Sequence, residues 1–316
     1  MDGALNGGAA SPFISENGFS ISSRGIAGLA QSKRISDPKL TLNAEVKEQV
    51  YGAAHSITEV PVSTPWNIWA SGRYDHFDGD GNSFDGGVGT ITAGADYRMS
   101  DTLLVGALVG YGKSDIDVGT TGNLESDGYT LGAYFGAKLE NSITADGFVA
   151  YTRSDYDIRS GAVTGDFDAD RYSVGINVYG SMPMDGFTIE PGISFIYGSE
   201  SQDSYVDSAA TAIAGQTIKS GRVSIGPKFV FDPIDNGNGS FTPWFGARYE
   251  FNFSDANVVA STGTPDVGDS SSARVSAGFT TDFGAGTFSL SGDVGGLGSG
   301  DYVSYGGTAK IRIPLE

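Results

Sequence analysis

The chain has 316 residues, a formal net charge of -19, 48 glycines and no cysteine. The acidic balance argues against nucleic-acid partners, and the missing cysteines exclude a disulfide framework and thiol chemistry while suiting passage through an oxidising periplasm. No stretch approaches the roughly 18 apolar residues of a membrane helix, yet a membrane protein is not excluded, because a barrel strand turns only every second residue to lipid.

Met1-Asp2-Gly3-Ala4 has neither the basic region nor the apolar core of a secretory signal, so an exported protein with this start is expected to have more sequence upstream. Residues 1–40 are rich in Gly, Ser and Ala and weak in pattern; Phe13, Ile14, Phe19, Ile21 and Ile26 could make short strands, but poor order is expected. From Asp37-Pro38 the pattern changes. Leu42, Val46, Val50 and Ala53 recur at helical spacing with Glu45, Lys47, Glu48 and Gln49 between them, which predicts a helix within 41–60. Thr41 or Asn43 could cap it, and Pro61 and Pro65 stop it.

From Trp66 onward, apolar residues alternate with polar or small ones. In Tyr129–Leu139, Tyr129, Leu131, Ala133, Phe135, Ala137 and Leu139 share one face, while Thr130, Gly132, Tyr134, Gly136 and Lys138 share the other. Twelve such strands are predicted: 66–75, 87–99, 102–114, 124–139, 142–156, 167–182, 186–199, 216–232, 240–254, 270–283, 287–297 and 301–313. Arg73, Asp96, Arg98, Lys138, Asp146, Arg171, Glu190, Arg222, Lys228, Arg248, Glu250, Arg274, Asp293, Lys310 and Arg312 all stand opposite their segment's apolar residues. Lipid tolerates no charge near the bilayer midplane whereas a wet lumen does, so the pattern predicts an all-β fold, a transmembrane antiparallel barrel over 61–316.

The predicted links alternate in length. Ser100-Asp101, Glu140-Asn141, Pro183–Asp185, Pro233–Gly239 and Gly284–Gly286 are short turns; 76–86, 115–123, 157–166, 200–215 and 255–269 are longer and polar. The acidic residues Asp75–Asp85, Asp115–Asp127, Asp155–Asp170 and Glu200–Asp207 are read as solvated loops, with cation bridging to anionic lipid or a surface partner as the sharper alternative. With an even strand count both barrel ends fall on one side, expected to be the periplasmic one. The helix must then lie in the periplasm or thread the lumen.

Three stretches resemble the C-terminal translocator domain of the bacterial autotransporters, the type V secretion family: Trp66-Asn67-Ile68-Trp69-Ala70-Ser71-Gly72, the hairpin Thr92–Ser100 with Leu103–Tyr111, and Arg274–Phe279 leading to a final hairpin that ends Lys310-Ile311-Arg312-Ile313-Pro314. The resemblance spans about residues 45–314. It implies a twelve-stranded outer-membrane pore with a short N-terminal helix in its lumen. Residues 1–40 would be a passenger remnant or linker, 41–60 a plug helix, and the N-terminal passenger would reach the cell surface with help from the barrel-assembly machinery. Outer-membrane lipid and lipopolysaccharide are the other expected partners, no nucleic acid is expected, and the barrel is expected to be a monomer without cofactor. The ending Ile313-Pro314-Leu315-Glu316 departs from the terminal aromatic of such barrels, which puts the assembly signal in doubt.

Arg73, Asp96, Arg98, Lys138, Arg171, Glu190, Arg222, Arg248, Glu250 and Arg274 are expected to line the lumen and to hold Glu45, Lys47 and Glu48 of the plug. Mutual salt bridging is their plainer role. Asn43 could serve self-cleavage, as in family members that cut at an asparagine, but the paired-Asn motif is absent and a helix cap is its ordinary role. His76, beside Asp75, is an isolated histidine of the first long loop, too little for a hydrolase. Asp78-Gly79-Asp80-Gly81-Asn82 echoes a calcium loop but lacks its sixth-position Gly and acidic twelfth. No catalytic or metal residue is expected; a general diffusion pore or, less plausibly, an outer-membrane hydrolase is the alternative.

Overall fold

In the computed structural model the described residues are 65–79, 84–140, 142–235, 237, 239–257, 270–299 and 302–315. The expectations for 1–40, the helix, Asn43, Glu45, Lys47, Glu48 and Asp80–Asn82 lie outside them. Twelve long strands follow in order: β1 Trp66–Gly79, β2 Phe84–Ser100, β3 Leu103–Val118, β4 Gly122–Glu140, β5 Ile143–Ser160, β6 Val163–Gly180, β7 Phe187–Gln202, β8 Gln216–Phe231, β9 Ser240–Asn257, β10 Ser270–Asp282, β11 Thr287–Leu297 and β12 Tyr302–Pro314. Each pairs antiparallel with the next, and β1 closes the ring on β12 from Asn67↔Pro314 to Gly79↔Tyr302. Closure leaves no open sheet edge, as hydrocarbon demands. Two-residue strands add Met182–Pro183 to β7 and Ile234–Asp235 to β9, and pair Tyr205–Val206 with Ala212–Ile213.

One end of the barrel, the turn end, carries both chain ends of the wall, where Leu315 N donates to Trp66 O at 2.9 Å. The opposite, loop end carries the links at 80–83, 119–121, 161–162, 203–215, 258–269 and 298–301. Here the structure corrects the expected loops. Residues 76–79, 84–86, 115–118, 122–123, 157–160 and 163–166 are strand, so among the described residues the one long loop-end link is 203–215. What alternates is strand overhang, not loop length. Gly161, with φ of 61°, makes the tight link between β5 and β6 possible, since only glycine adopts that conformation without Cβ strain.

The overhang keeps the two-residue period but reverses its polarity. Through the middle of the barrel Ile91, Val109, Leu131, Val149, Val174, Ile176, Ile225 and Leu290 face outward and are exposed. Seven outward tyrosines, Tyr74, Tyr111, Tyr129, Tyr151, Tyr172, Tyr249 and Tyr305, end this band; Tyr111 stacks obliquely on Tyr129 at 5.1 Å and Tyr151 on Tyr172 at 5.2 Å. Beyond them the outward positions are Lys113, Asp115, Asp117 on β3, Glu125, Asp127 on β4, Arg153, Asp155, Asp157 on β5 and Asp166, Asp168, Asp170 on β6. The inward positions there become apolar: Phe77, Phe84, Val88, Ile116, Val118, Leu124, Tyr156, Ile158, Phe167 and Tyr302 form one buried cluster. Toward the turn end the outer band finishes at Trp66 against Tyr97, 4.9 Å between rings, with Met99 and Leu139 exposed nearby. An apolar outer band between two aromatic belts fits a bilayer, and the tyrosines mark its edge.

The barrel lumen as candidate functional site

The inner face of the middle of the barrel is built from charge. Because a strand alternates its side chains, Arg73 and Asp75 of β1 both point inward, as do Arg222 of β8, Arg248 and Glu250 of β9, Arg274 of β10 and Asp293 of β11; all are buried. Arg73 pairs with Asp75 and with Asp293, the latter at 3.0 Å, and donates to Thr308 Oγ1 at 2.9 Å. Arg274 bonds Asp293 on one side and Glu250 on the other, the second at 2.9 Å. Glu250 also takes Arg248 at 3.0 Å and Arg222 at 3.5 Å, and Arg222 Nε donates to Asn252 at 2.6 Å. One chain of alternating charge thus crosses six neighbouring strands, from β8 through β12 to β1. Its geometry depends on two glycines. A methyl on Gly306 would stand 2.1 Å from the Arg73 guanidinium, and one on Gly295 would stand 2.2 Å from that of Arg274.

Three smaller groups extend the polar wall. Asp96 accepts Arg312 at 2.6 Å, Asn67 at 2.9 Å and the Tyr134 hydroxyl at 3.0 Å, while Trp69 Nε1 donates to that hydroxyl at 2.6 Å. Glu200 is held by Arg171 Nε at 2.7 Å and by Gln202 at 2.8 Å. Lys228 lies 3.4 Å from Glu190 and 5.0 Å from the centre of the Trp244 ring. Opposed charges satisfy one another inside the wall, where an unpaired one would cost several kcal/mol, on the order of 3–5.

Every predicted lumen residue of the wall stands on the inward parity. Arg73, Arg222, Arg248, Glu250 and Arg274 come together in the long network; Asp96, Arg171 and Glu190 join the smaller groups; Arg98 and Lys138 lie half-buried near the turn end. Asp75 and Glu200 belong to these networks, although each opens an acidic run that the sequence pattern assigns to a loop. Continuing the parity of Arg73 by two residues would have found Asp75. Asn67, Tyr134, Tyr156 and Asn252 had no charge to mark them. Two inward glycines are seats for aromatics: a methyl on Gly94 would meet the Trp69 ring at 2.5 Å, and one on Gly106 the Tyr134 ring at 2.2 Å.

His76 is a strand residue rather than a loop residue. It faces outward, with Nε2 at 3.4 Å from Asp85 Oδ2 and both side chains exposed, whereas Asp75 faces inward. The adjacent Asp–His pair is therefore split between opposite surfaces.

The remaining loop-end link folds back on the wall. Ser208 N donates to Thr164 O at 2.8 Å and Thr164 N to Ser208 Oγ at 2.9 Å, while Asp207 caps its own turn through Ala209 and Thr211. Tyr205 stacks on Phe167 at 5.3 Å, and Phe167 on Tyr156 at 4.9 Å, so this link extends the apolar cluster of the loop end. Burial pushes the Tyr205 hydroxyl well above its ordinary range, with the nearby Asp207 carboxylate adding to the effect.

A closed ring of twelve antiparallel strands, apolar outside between aromatic belts and ion-paired inside, defines a transmembrane β-barrel. The autotransporter β-domain family model matches residues 68–295, and the chain belongs to that family. It is an outer-membrane translocator barrel of an autotransporter, a secretion barrel by family. Among curated proteins it is 26% identical over 253 residues to the uncharacterized protein YaiT of Salmonella typhimurium and 27% over 259 residues to the putative uncharacterized protein YaiT of Escherichia coli K12. Both alignments cover 74% of this chain and 25% of the relative, so the chain spans about a quarter of their length. Among solved structures, the β-domain of the Bordetella autotransporter BrkA is similar with a TM-score of 0.67 and 16% identity, covering 80% of this chain and 100% of that one. The translocator domain of NalP from Neisseria meningitidis gives 0.64 and 15%, covering 92% and 98%. The transport unit of AIDA-I from Escherichia coli gives 0.61 and 11%, covering 83% and 95%.

Proposed function

We propose that this barrel anchors and exports an N-terminal passenger to the cell surface, with residues 1–40 as passenger remnant or linker, 41–60 as a helix inside the lumen and 61–316 as the barrel. The observation that carries this reading is the charged band crossing β8–β12 and β1, which gives a translocating chain a polar wall and a plug helix fixed counter-charges. Glu45, Lys47 and Glu48 are the residues it would hold. The turn end, where the barrel starts and finishes, faces the periplasm; the acidic loop end faces the outside, near lipopolysaccharide. The barrel works as a monomer, is placed by the barrel-assembly machinery and carries out no catalysis, a view supported by Asp75 and His76 facing opposite surfaces.

Planar-bilayer conductance with and without residues 1–58 tests it. Low conductance of the full chain and a several-fold rise on deletion are expected. If deletion changes nothing, the helix does not plug the pore and the barrel is a general diffusion channel.

A further inference from the structure

β1 and β12 meet across the seam from opposite ends of the wall, whereas every other neighbouring pair of long strands is consecutive in the chain and held near its register by the link between them. The outer pattern does not replace that missing link. Ile68, Ala70, Gly72 and Tyr74 on β1 and Gly307, Ala309, Ile311 and Ile313 on β12 face outward. Sliding one strand past the other by one residue would turn its apolar set into the lumen, but sliding by two keeps the whole set on lipid. Such a slide would still change the stagger of the closed sheet, to which its tilt and width are tied. Some other feature has to choose among frames two residues apart.

Two ion pairs reach over the seam and past the nearest strand. Arg73 of β1 crosses β12 to Asp293 of β11 at 3.0 Å, and Arg312 of β12 crosses β1 to Asp96 of β2 at 2.6 Å. The first pair has a seat. Asp75 stands opposite Gly306 across the seam, and Gly306 stands opposite Asp293 in the next pair of strands. Carboxylate, glycine and carboxylate thus form one row. The Arg73 guanidinium fills the space over the glycine, where even a methyl would collide with it and with both acids. The inward residues of β12 are Tyr302, Ser304, Gly306, Thr308, Lys310 and Arg312, so a slide of two residues either way puts Ser304 or Thr308 under the guanidinium. It also carries Asp293 and Arg312 about 7 Å along the strand direction from where they now meet Arg73 and Asp96. We propose that the Arg73–Gly306 seat, backed by Arg312 and Asp96, is a register lock that selects the frame in which the last strand closes on the first.

The chain has no cysteine, so a disulfide across the seam reports the register without background. Ala70 stands directly opposite Ile311, and Ala309 and Ile313 are each two residues away from that position. Opposite residues lie about 4.5–5.5 Å apart and diagonal ones about 7–8 Å, so a disulfide bridges the first spacing and not the second. Full chains carrying Ala70→Cys with Ile311→Cys, Ala309→Cys or Ile313→Cys are folded in detergent and oxidised, and the cross-link is read on the unheated, folded band. With the interior unaltered, only the Ile311→Cys pair should link. In Arg73→Gln with Asp293→Asn, linkage is expected to spread to the Ala309→Cys or Ile313→Cys pair at the expense of the first. Should that variant not fold, Ser304→Gly with Gly306→Ser takes its place. It moves the glycine two residues along β12 and is expected to favour the Ala309→Cys pair. A folded band that still links through Ile311→Cys alone overturns the lock, because a role in stability alone would lower the folded yield and keep the frame.

Discussion

At the scale of single residues, Glu250 is the keystone of the lumen. It is 0% exposed and bound to Arg222, Arg248 and Arg274. Glu250→Ala would remove the carboxylate that three guanidinium groups share, leaving Asp293 to face Arg274, and breaking a buried pair from one side costs about 3–5 kcal/mol. A urea titration of the heat-modifiable band should show that loss. The Ala variant of an exposed acid such as Asp157 should shift the midpoint little. Gly306→Ala is smaller chemically but has no space, because the Arg73 guanidinium fills the site and is itself held by Asp75, Asp293 and Thr308. A cost of about 1–3 kcal/mol, the usual range for overpacking, is expected in the same titration.

Asp155 behaves in the opposite sense. Its carboxyl is shifted above the ordinary range, first by the hydrogen bond it shares with Asp168 and further by the charges of Asp168 and Asp127 beside it. The three are consecutive cross-strand neighbours, Asp127↔Asp155↔Asp168. A folded-state carboxyl pKa above the unfolded value means that the folded state binds the proton more tightly. Stability from this group is therefore present below the unfolded value and is lost as pH rises through the raised one. Protection factors of the amides at the tips of β5 and β6, taken relative to intrinsic exchange at each pH, should rise as pH is lowered from neutral toward the ordinary carboxylate range. A protection factor that falls on acidification would contradict the shared proton.

At the scale of the strand, β6 passes through every environment in turn. Ile176 and Val174 face the lipid, Tyr172 stands at its edge, and Asp170 lies beyond. Arg at Ile176 should cost about 2–4 kcal/mol in liposome folding, and the penalty should shrink to about 0–1 at Tyr172. A flat series would mean that the outer band is not in hydrocarbon. The neighbouring Asn177 is not the roomy inward position its parity suggests, since it is 1% exposed and donates to Asp146 at 3.0 Å.

The same strand shows what could be read in advance. Tyr172 through Tyr179 alternate as lipid-facing strands should, so strand and facing of this part followed from the residues. Val163 to Asp166 alternate as well, but with aspartate outside. A rule that seeks apolar residues on the outer face reads such a stretch as loop. The missing information was the height at which lipid ends, which the tyrosines carry and the charges alone do not. The charged lumen positions were legible because lipid excludes charge from the outer parity; their partners Asn67 and Asn252 were not, because neutral polar groups appear on both faces.

At the scale of the molecule, the apolar band, the closed seam between β1 and β12 and the interior ion pairs belong to one object stable only with lipid or detergent around it. Unheated samples in detergent should migrate as a compact band that shifts on boiling. A monomer soluble without detergent would be incompatible with the exposed belt formed by Val109, Leu131, Val149 and Ile225.

The reversed polarity of the overhang also bears on how the barrel enters a membrane. The hairpin tips carry Asp115, Asp117, Glu125, Asp157 and Asp166 on their outer side. A chain that enters from the side on which its turn end stays has to carry the loop end across the bilayer, and each ionised carboxylate must be dragged through hydrocarbon on the way. Protonation removes that barrier without altering the finished wall. Unassisted insertion into neutral-lipid vesicles should therefore be limited by passage of these tips and should accelerate as pH is lowered from 8 to 5. Replacing the five acids by their amides should give the fast rate at every pH.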